Sequence, residues 1–204
     1  MTKLFSLDTP IVTIGPGEYF STNNNTIIKT LLGSCVAICL YDSSTKIIGM
    51  NHFLLASDRL NRTKIIDSKA GYFGLHAMEL LINSMLKLGA VRKNFEAKIF
   101  GGANVLLNKY RGSNSHINDI GDNNIAFADV FLQQENIPIR ARDVGGFQGR
   151  VIYFDNDDFS VYRKLIGTNL TEKLKVKEQR YFINKKQEIN KPIKSVHFWD
   201  KQDN

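Results

Sequence analysis

Two runs of strand-forming residues, separated by a short polar link, constrain the fold of this chain more than any other feature. The first run extends over residues 30–42 and the second over residues 46–55, and both are rich in β-branched and apolar side chains. The link, Asp42 to Thr45, has the composition of a hairpin turn. The sequence therefore predicts two adjacent antiparallel strands.

This hairpin would bring a cysteine and a histidine together. If the link is symmetric, Tyr41 faces Lys46, and Cys35 then faces His52. Directly opposed residues of an antiparallel pair point to the same side, with Cβ atoms about 4.5–5.5 Å apart. A register shift of one residue would place the two side chains on opposite faces, so the prediction depends on the turn.

A thiol beside an imidazole can act as a nucleophile, because the imidazole can take the thiol proton and later return it to a leaving amine. Gly33 and Ser34 precede Cys35, and a glycine lets backbone N–H groups approach a developing oxyanion. From these residues alone, structural burial of Cys35 and His52 is an equally good interpretation, since cysteine is among the most buried residue types.

Composition indicates a globular protein without nucleic acid as its main ligand. Of the 204 residues, 43% are hydrophobic and 23% charged. Residues 168–204 hold nine Lys/Arg against five Asp/Glu, which leaves the rest of the chain close to neutral although the net charge is +7. No secretory leader or membrane-spanning apolar run is recognisable, so we expect a cytoplasmic protein without membrane insertion.

The two cysteines are expected to be free thiols. Cys35 and Cys39 lie on one predicted strand, about 13 Å apart at about 3.3 Å per residue, which is too far for a disulfide. We expect Cys39, deeper in the apolar run, to be inert. The four histidines show no metal-ligand spacing, and Gly101 and Gly102 lack a nucleotide-binding motif, so no metal or cofactor is predicted.

Apolar periodicity predicts helices over Tyr72–Leu88 and Asn123–Asn136. The further predicted strands are Ile11–Ile14, Glu96–Phe100, Ile137–Ala141, Arg150–Phe154 and Phe159–Leu165. We therefore predict a single α/β layered domain with a mixed, largely antiparallel sheet and two main helices.

Five ordered motifs resemble the bacterial CheD family of chemoreceptor glutamine deamidases, and the resemblance runs from about Gly17 to Leu165. The motifs are Gly33-Ser34-Cys35-Val36, His52 in the next strand, Ala97–Ala103, Ile120-Gly121 with Asn124, and Asp143–Gly146 followed by Gly149-Arg150. The resemblance implies an architecture like the catalytic domain of the cytotoxic necrotizing factor toxins, which are also Cys/His glutamine deamidases.

The resemblance also implies the site. Cys35 would be the nucleophile and His52 the base and acid, with active-site and oxyanion-binding backbone from Gly33, Ser34, Gly101 and Gly102. The family carries a threonine upstream of its cysteine that orients the imidazole. Thr30 matches it, although Lys29 and Thr26 are close enough in sequence to leave the assignment open.

The expected activity is conversion of receptor glutamines to glutamate with release of ammonia, and the expected partners are chemoreceptor cytoplasmic helices and the CheC phosphatase. Two alternatives stay open. The chain could be an interaction module that binds CheC or receptors and has vestigial catalysis, or it could cleave receptor methyl esters with the same residues.

We predict a CheD-like deamidase domain over residues 1–167 and a basic extension over residues 168–204 that lies outside the resemblance. Within the extension, lysines alternate with apolar residues from Lys173 to Lys177, a pattern typical of a guarded edge strand. We expect an edge strand followed by a tail whose aromatic end either docks on a surface or stays loosely ordered.

Overall fold

The computed structural model describes residues 9–55, 65–105 and 119–190. The polar segment over residues 57–68, whose composition predicts a surface loop, lies partly outside the described residues. The strands are β1 Ile11–Thr13, β2 Tyr19–Thr22, β3 Ile27–Leu32, β4 Val36–Asp42, β5 Ile47–Asn51, β6 Glu96–Gly101, β7 Ile139–Val144, β8 Arg150–Asp155 and β9 Val161–Leu165. The helices are α1 Lys69–Lys87, α2 Asp119–Gln134 and α3 Thr168–Asn190, with a short 3-10 turn over Arg92–Asn94.

The strands form two sheets. One has the order β1-β3-β8-β9 and the other the order β2-β5-β4-β6-β7. Only the β1–β3 and β6–β7 pairs are parallel, and every other neighbouring pair of these strands is antiparallel. The predicted α/β class and its mixed, largely antiparallel pairing are confirmed, although the strands are divided between two sheets.

Strand β4 lies at the centre of both halves of the core, which explains why all seven of its residues are buried. Val36, Ile38 and Leu40 point into a cluster with apolar residues of α1 and α2. Ala37 and Cys39 point the other way, into a cluster with residues of β3 and β8. The molecule is thus layered as helices, five-stranded sheet and four-stranded sheet. Because β4 is covered on both faces, it is apolar along most of its length.

The β4–β5 hairpin forms, but its predicted register is wrong by two residues. Asp42 pairs with Ile47, and Cys39 with Met50, so Cys35 is not directly opposite His52. The turn holds two more residues than predicted: the Asp42 carboxylate accepts hydrogen bonds from Ser44, and Lys46 takes the left-handed conformation with φ 54°. A shift of two residues keeps each side chain on its predicted face.

Both predicted helices are confirmed. Helix α1 begins after Ser68, whose side chain accepts a hydrogen bond from the Gly71 N–H at 2.9 Å, and ends before Gly89, which has φ 103°. Helix α2 begins four residues earlier than predicted, at Asp119. No helix in the described ranges is long and apolar enough to cross a membrane.

The predicted edge strand over Lys173–Lys177 is wrong, because these residues lie in the 23-residue helix α3. Leu174 and Glu178 are 4% exposed and Tyr181 is partly buried, whereas Lys173 and Lys177 are exposed. The lysine alternation fits a strand period over five residues, but residues at positions i, i+4 and i+7 contact the domain, as on one face of a helix. Packing against the domain therefore selects the helix.

Candidate active site

Residues Gly33, Ser34 and Cys35 form the site at the point where the chain crosses from one sheet to the other. Strand β3 ends at Leu32 in the four-stranded sheet, and β4 begins at Val36 in the five-stranded sheet. The three residues between them belong to neither sheet, so their backbone groups must find other partners.

All three carbonyl groups of this crossing accept hydrogen bonds from other segments of the chain. The Ala103 N–H donates to Gly33 O at 2.6 Å, the Asn124 Nδ2 amide to Ser34 O at 2.8 Å, and the Gly102 N–H to Cys35 O at 2.7 Å. Asn124 in turn accepts from the Leu55 N–H at 2.7 Å. The crossing is therefore fixed on its carbonyl side, and the N–H groups of Gly33 and Ser34 point to the other side.

Gly101 and Gly102 lie against the crossing. The N–H of Gly102 is used by the crossing and is not left for an oxyanion. Gly101 has φ 108°, and a Cβ there would collide with the Cys35 carbonyl oxygen. The Gly102 N–H already donates to that same oxygen. The backbone of these two glycines therefore lies directly against that of Cys35.

The structure brings Cys35 and His52 together in a buried site. The Cys35 Sγ, a His52 ring nitrogen and a Glu178 carboxylate oxygen all lie within 4.8 Å of one another. Cys35 is fully buried and His52 is 1% exposed. The backbone of His52, just after β5, is fixed by hydrogen bonds with Glu18 and Gly17 at 2.9 and 2.7 Å.

Thr30 fixes the tautomer of His52. Its hydroxyl donates to the Ile14 carbonyl at 2.8 Å and lies 2.8 Å from His52 Nδ1. A hydroxyl has one proton, and Ile14 receives it, so His52 Nδ1–H must be the donor to Thr30. His52 Nε2 therefore carries a lone pair, and this buried atom has no hydrogen-bond partner among the described residues.

The resting site holds a neutral thiol and a neutral imidazole. Burial lowers the pKa of His52 to about 3, with a further contribution from the Lys177 ammonium. Burial also raises the pKa of the Cys35 thiol well above its ordinary value, and the Glu178 carboxylate raises it further through its charge and a hydrogen bond. The thiol therefore needs a base at the moment of attack.

Glu178 is the site residue that sequence analysis missed. Its Oε1 accepts from the Gly33 N–H at 2.8 Å, and its Oε2 accepts from the Ser34 N–H at 2.8 Å and the Ser34 hydroxyl at 2.7 Å. The available signal was its place between Leu174 and Tyr181 at helical spacing. A carboxylate on the buried face of a helix needs hydrogen-bond partners. The strand prediction gave no reason to place Glu178 on such a face.

The same atoms include a candidate metal-ligand set. Cys35, His52 and Glu178 offer sulfur, nitrogen and oxygen donors of the kinds that zinc takes. Three protein donors already point at the two Glu178 oxygens, however, and backbone N–H groups attract anions rather than cations. The geometry favours an anion site over a metal site.

Comparison with known proteins identifies the family. The model of the family described as CheD chemotactic sensory transduction matches residues 54–165. A Shewanella oneidensis protein named probable chemoreceptor glutamine deamidase CheD 2 is 54% identical over 198 residues, covering 93% of this chain and 94% of that protein. A Geobacter sulfurreducens protein named probable chemoreceptor glutamine deamidase CheD 1 is 48% identical over 157 residues, covering 76% and 77%.

The chain belongs to the CheD family. The matched family segment begins two residues after His52 and ends before α3, so it contains neither Cys35 nor Glu178. The similarity to the Shewanella CheD covers so much of this chain that it includes most of α3. The sequence that forms α3 in this chain is therefore largely within the match to that CheD relative.

Proposed function

We propose that this CheD-family protein deamidates glutamine side chains of chemoreceptors, with Cys35 as nucleophile and His52 as general base and acid. The observation that carries the proposal is the tautomer that Thr30 imposes on His52, because it leaves the Nε2 lone pair available in a buried site beside the thiol. The names of the two CheD relatives support the choice of reaction and substrate.

In the first half of the reaction, His52 Nε2 takes the Cys35 proton as the sulfur attacks the side-chain carboxamide carbon. The carbonyl oxygen becomes an oxyanion, and the Gly33 and Ser34 N–H groups are placed to receive it, since they already bind carboxylate oxygens at 2.8 Å. His52 then gives its proton to the departing nitrogen. The carbon–nitrogen bond breaks, ammonia leaves, and a Cys35 thioester remains.

In the second half, His52 Nε2 takes a proton from a water molecule that attacks the thioester carbonyl. The carbon–sulfur bond breaks, and the proton returns to the Cys35 sulfur. The product is a glutamate side chain whose two oxygens match the two N–H donors. Because the nucleophile is a protein side chain and water replaces the proton that leaves with ammonia, these steps need no cofactor.

Thr30 acts through His52 as a positioning residue. The two alternatives that the sequence left open are less well placed: the Lys29 ammonium lies over the Tyr153 ring, 5.4 Å from its centroid, and Thr26 precedes β3 at its far end from the site. The contact with His52 Nδ1 favours Thr30 over both.

The remaining parts of the proposal follow from the family. The substrate glutamines lie on chemoreceptor cytoplasmic helices, CheC is a partner, and the protein acts in the cytoplasm. Residues 1–167 form the deamidase domain, and residues 168–204 form a basic extension of which α3 is the first part.

The test is mass spectrometry of a chemoreceptor cytoplasmic fragment after incubation with the full chain. We expect glutamine-to-glutamate conversion and ammonia release with the wild type, and loss of both with Cys35→Ala and His52→Gln. Cys39→Ala is the matched control. Cys39 is a fully buried thiol whose pKa burial raises, and among the described residues it is not part of a cluster with a histidine.

Each alternative gives a different result. Release of methanol from a methylated receptor without ammonia would replace deamidation by ester hydrolysis. Receptor or CheC binding without any conversion would favour the interaction module. Equal activity of Cys35→Ala and Cys39→Ala would refute the assignment of the nucleophile.

A further inference from the structure

Three glycines form a track in which α3 lies against the domain. A Cβ added at Gly149 would lie 3.0 Å from Leu174 Cδ2, and one added at Gly33 would lie 2.8 Å from Glu178 Oε2. A Cβ at Gly17 would collide with the Tyr181 hydroxyl. Contacts this close are possible only because glycine lacks a side chain.

The side chains that enter this track lie on one face of a helix. Leu174, Glu178 and Tyr181 stand at positions i, i+4 and i+7, the spacing by which a helix presents neighbouring side chains to a groove. The middle position reaches the catalytic crossing, and the outer two contact the glycines on either side of it. The surface around Cys35 is thus shaped for a helix with one central side chain directed inward.

That central side chain is chemically the product of deamidation. Glu178 is 4% exposed, and its two oxygens occupy the N–H groups of Gly33 and Ser34. One of these oxygens lies within 4.8 Å of both the Cys35 sulfur and a His52 nitrogen. A glutamine at the same place would put its carboxamide beside the thiol and the imidazole, with its oxygen on one of the two N–H groups.

We propose that α3 is a built-in product mimic: it fills a helix-binding groove at the active site, holds the Glu178 carboxylate in the product position, and must leave before a substrate helix carrying glutamine can enter. The inference rests on the proposed deamidation. It adds that the substrate is recognised as a helix, with bulky side chains four residues before and three residues after the glutamine, and that the enzyme is closed by its own C-terminal helix.

The electrostatics of the closed site agree with this role. Burial raises the pKa of the Cys35 thiol, and the Glu178 carboxylate beside it adds to the rise. A thiol ionises more readily when a neighbouring carboxylate is taken away. Departure of α3 would therefore expose Cys35 and also lower the pKa of its thiol.

The first experiment measures access to Cys35 without any receptor. The full chain is treated with iodoacetamide, a small reagent that carries a primary carboxamide, and alkylation of Cys35 and Cys39 is followed by peptide mass spectrometry. Glu178→Ala should raise the alkylation rate of Cys35 about tenfold or more, because it removes three hydrogen bonds and a charge from the site.

The control variant is Gln179→Ala, which changes the next residue on the exposed side of α3 and should leave the rate unchanged. Cys39 is the internal control, since it stays buried in the sheet in both variants. A Cys35 rate in Glu178→Ala within about twofold of the wild type would overturn the proposal, since that is far below the tenfold effect expected for charged hydrogen bonds.

The second experiment replaces Glu178 by glutamine, so that α3 carries a substrate side chain in place of the product. It tests the proposal even if Glu178→Ala fails to fold. In purified Glu178→Gln, the enzyme should convert the introduced glutamine back to glutamate, whereas Glu178→Gln combined with Cys35→Ala should keep it. Gln179 lies in the same peptide and should stay glutamine in both proteins. Persistence of the introduced glutamine in a folded protein with reactive Cys35 would show that α3 does not present this side chain as a substrate.

The two proposals can fail separately. If the glutamine introduced by Glu178→Gln is converted but no chemoreceptor fragment is, the helix groove stands and the chemoreceptor is the wrong substrate. If receptor glutamines are converted at the same rate by the wild type and by Glu178→Ala, the deamidase stands and closure by α3 is wrong.

Discussion

Thr30→Val gives the sharpest test of how the site works, because valine keeps the shape of threonine and removes only the hydroxyl. Thr30 is fully buried, and its hydroxyl joins the Ile14 carbonyl to His52 Nδ1–H with two hydrogen bonds of 2.8 Å. The substitution leaves one acceptor and one donor in the core without their partner.

The expected loss of stability comes from these two groups. Each buried polar group left without a partner costs about 1–3 kcal/mol, so the free energy of unfolding should fall by about 2–6 kcal/mol. The expected loss of activity comes from His52, which no longer has a partner that holds the proton on Nδ1. A loss of about 1.4–2.8 kcal/mol in orientation and tautomer corresponds to about a 10-fold to 100-fold lower kcat.

Three measurements separate this mechanism from a general loss of structure. Chemical denaturation gives the unfolding free energy, receptor-fragment mass spectrometry gives kcat, and imidazole nitrogen NMR shows which ring nitrogen of His52 carries the proton. We expect protonated Nδ1 in the wild type and a mixture or the opposite tautomer in Thr30→Val. Thr30→Ser restores the hydroxyl and should recover both the tautomer and most of kcat.

Lys29→Met is the matched control, since it changes the neighbouring residue, whose ammonium lies over Tyr153 and does not contact His52. It should keep kcat. If Thr30→Val retains wild-type kcat, or if its His52 tautomer is the same as in the wild type, Thr30 is not the positioning residue.

Two further predictions concern the groups that hold the site in place. Asn124→Ala should lower kcat and reduce the unfolding free energy by about 2–6 kcal/mol, because the Ser34 carbonyl and the Leu55 N–H lose their partner. Asn123→Ala, which removes an Nδ2 without a partner among the described residues, should have a much smaller effect on both. Asp42→Asn tests the hairpin turn. Burial raises the pKa of Asp42, but hydrogen bonds from Ser44 and from the Val91 N–H outweigh it and bring the pKa to about 2. The folded pKa lies below the ordinary value of 3.8, so the carboxylate stabilises the fold above that pH by about 2 kcal/mol, and denaturation curves of the two proteins should converge as the pH falls through about 2.

Local pattern was enough to predict most of the fold. The apolar stripe of α1, its end at Gly89 and the β8–β9 hairpin each follow from residues close in sequence, and the structure has all three. The β4–β5 register was wrong because the composition of the link does not give the number of residues in the turn. Asp42 folds the link back onto its own side chain and Lys46 adopts a left-handed conformation, which lengthens the turn by two residues.

The site was only partly predictable for a different reason. Cys35 directly precedes β4 and His52 directly follows β5, so the hairpin alone brought them together. Thr30 lies in the other sheet, and its contact with His52 depends on how the two sheets pack, which no spacing in the sequence expresses. Glu178 is more than 140 residues away from the crossing that it contacts, and the lysine pattern around it pointed to a strand.

The crossing between the sheets explains why nucleophile, oxyanion donors and closing helix meet at one place. Within a sheet, alternate backbone groups are used by the neighbouring strands, so consecutive N–H groups rarely point to one side. Between β3 and β4 the chain leaves both sheets, and three supporting donors hold the carbonyls of residues 33–35. The N–H groups of Gly33 and Ser34 are then directed outward together and bind the two oxygens of the Glu178 carboxylate. A site that stabilises an oxyanion this way also binds its own glutamate product, and α3 uses that affinity.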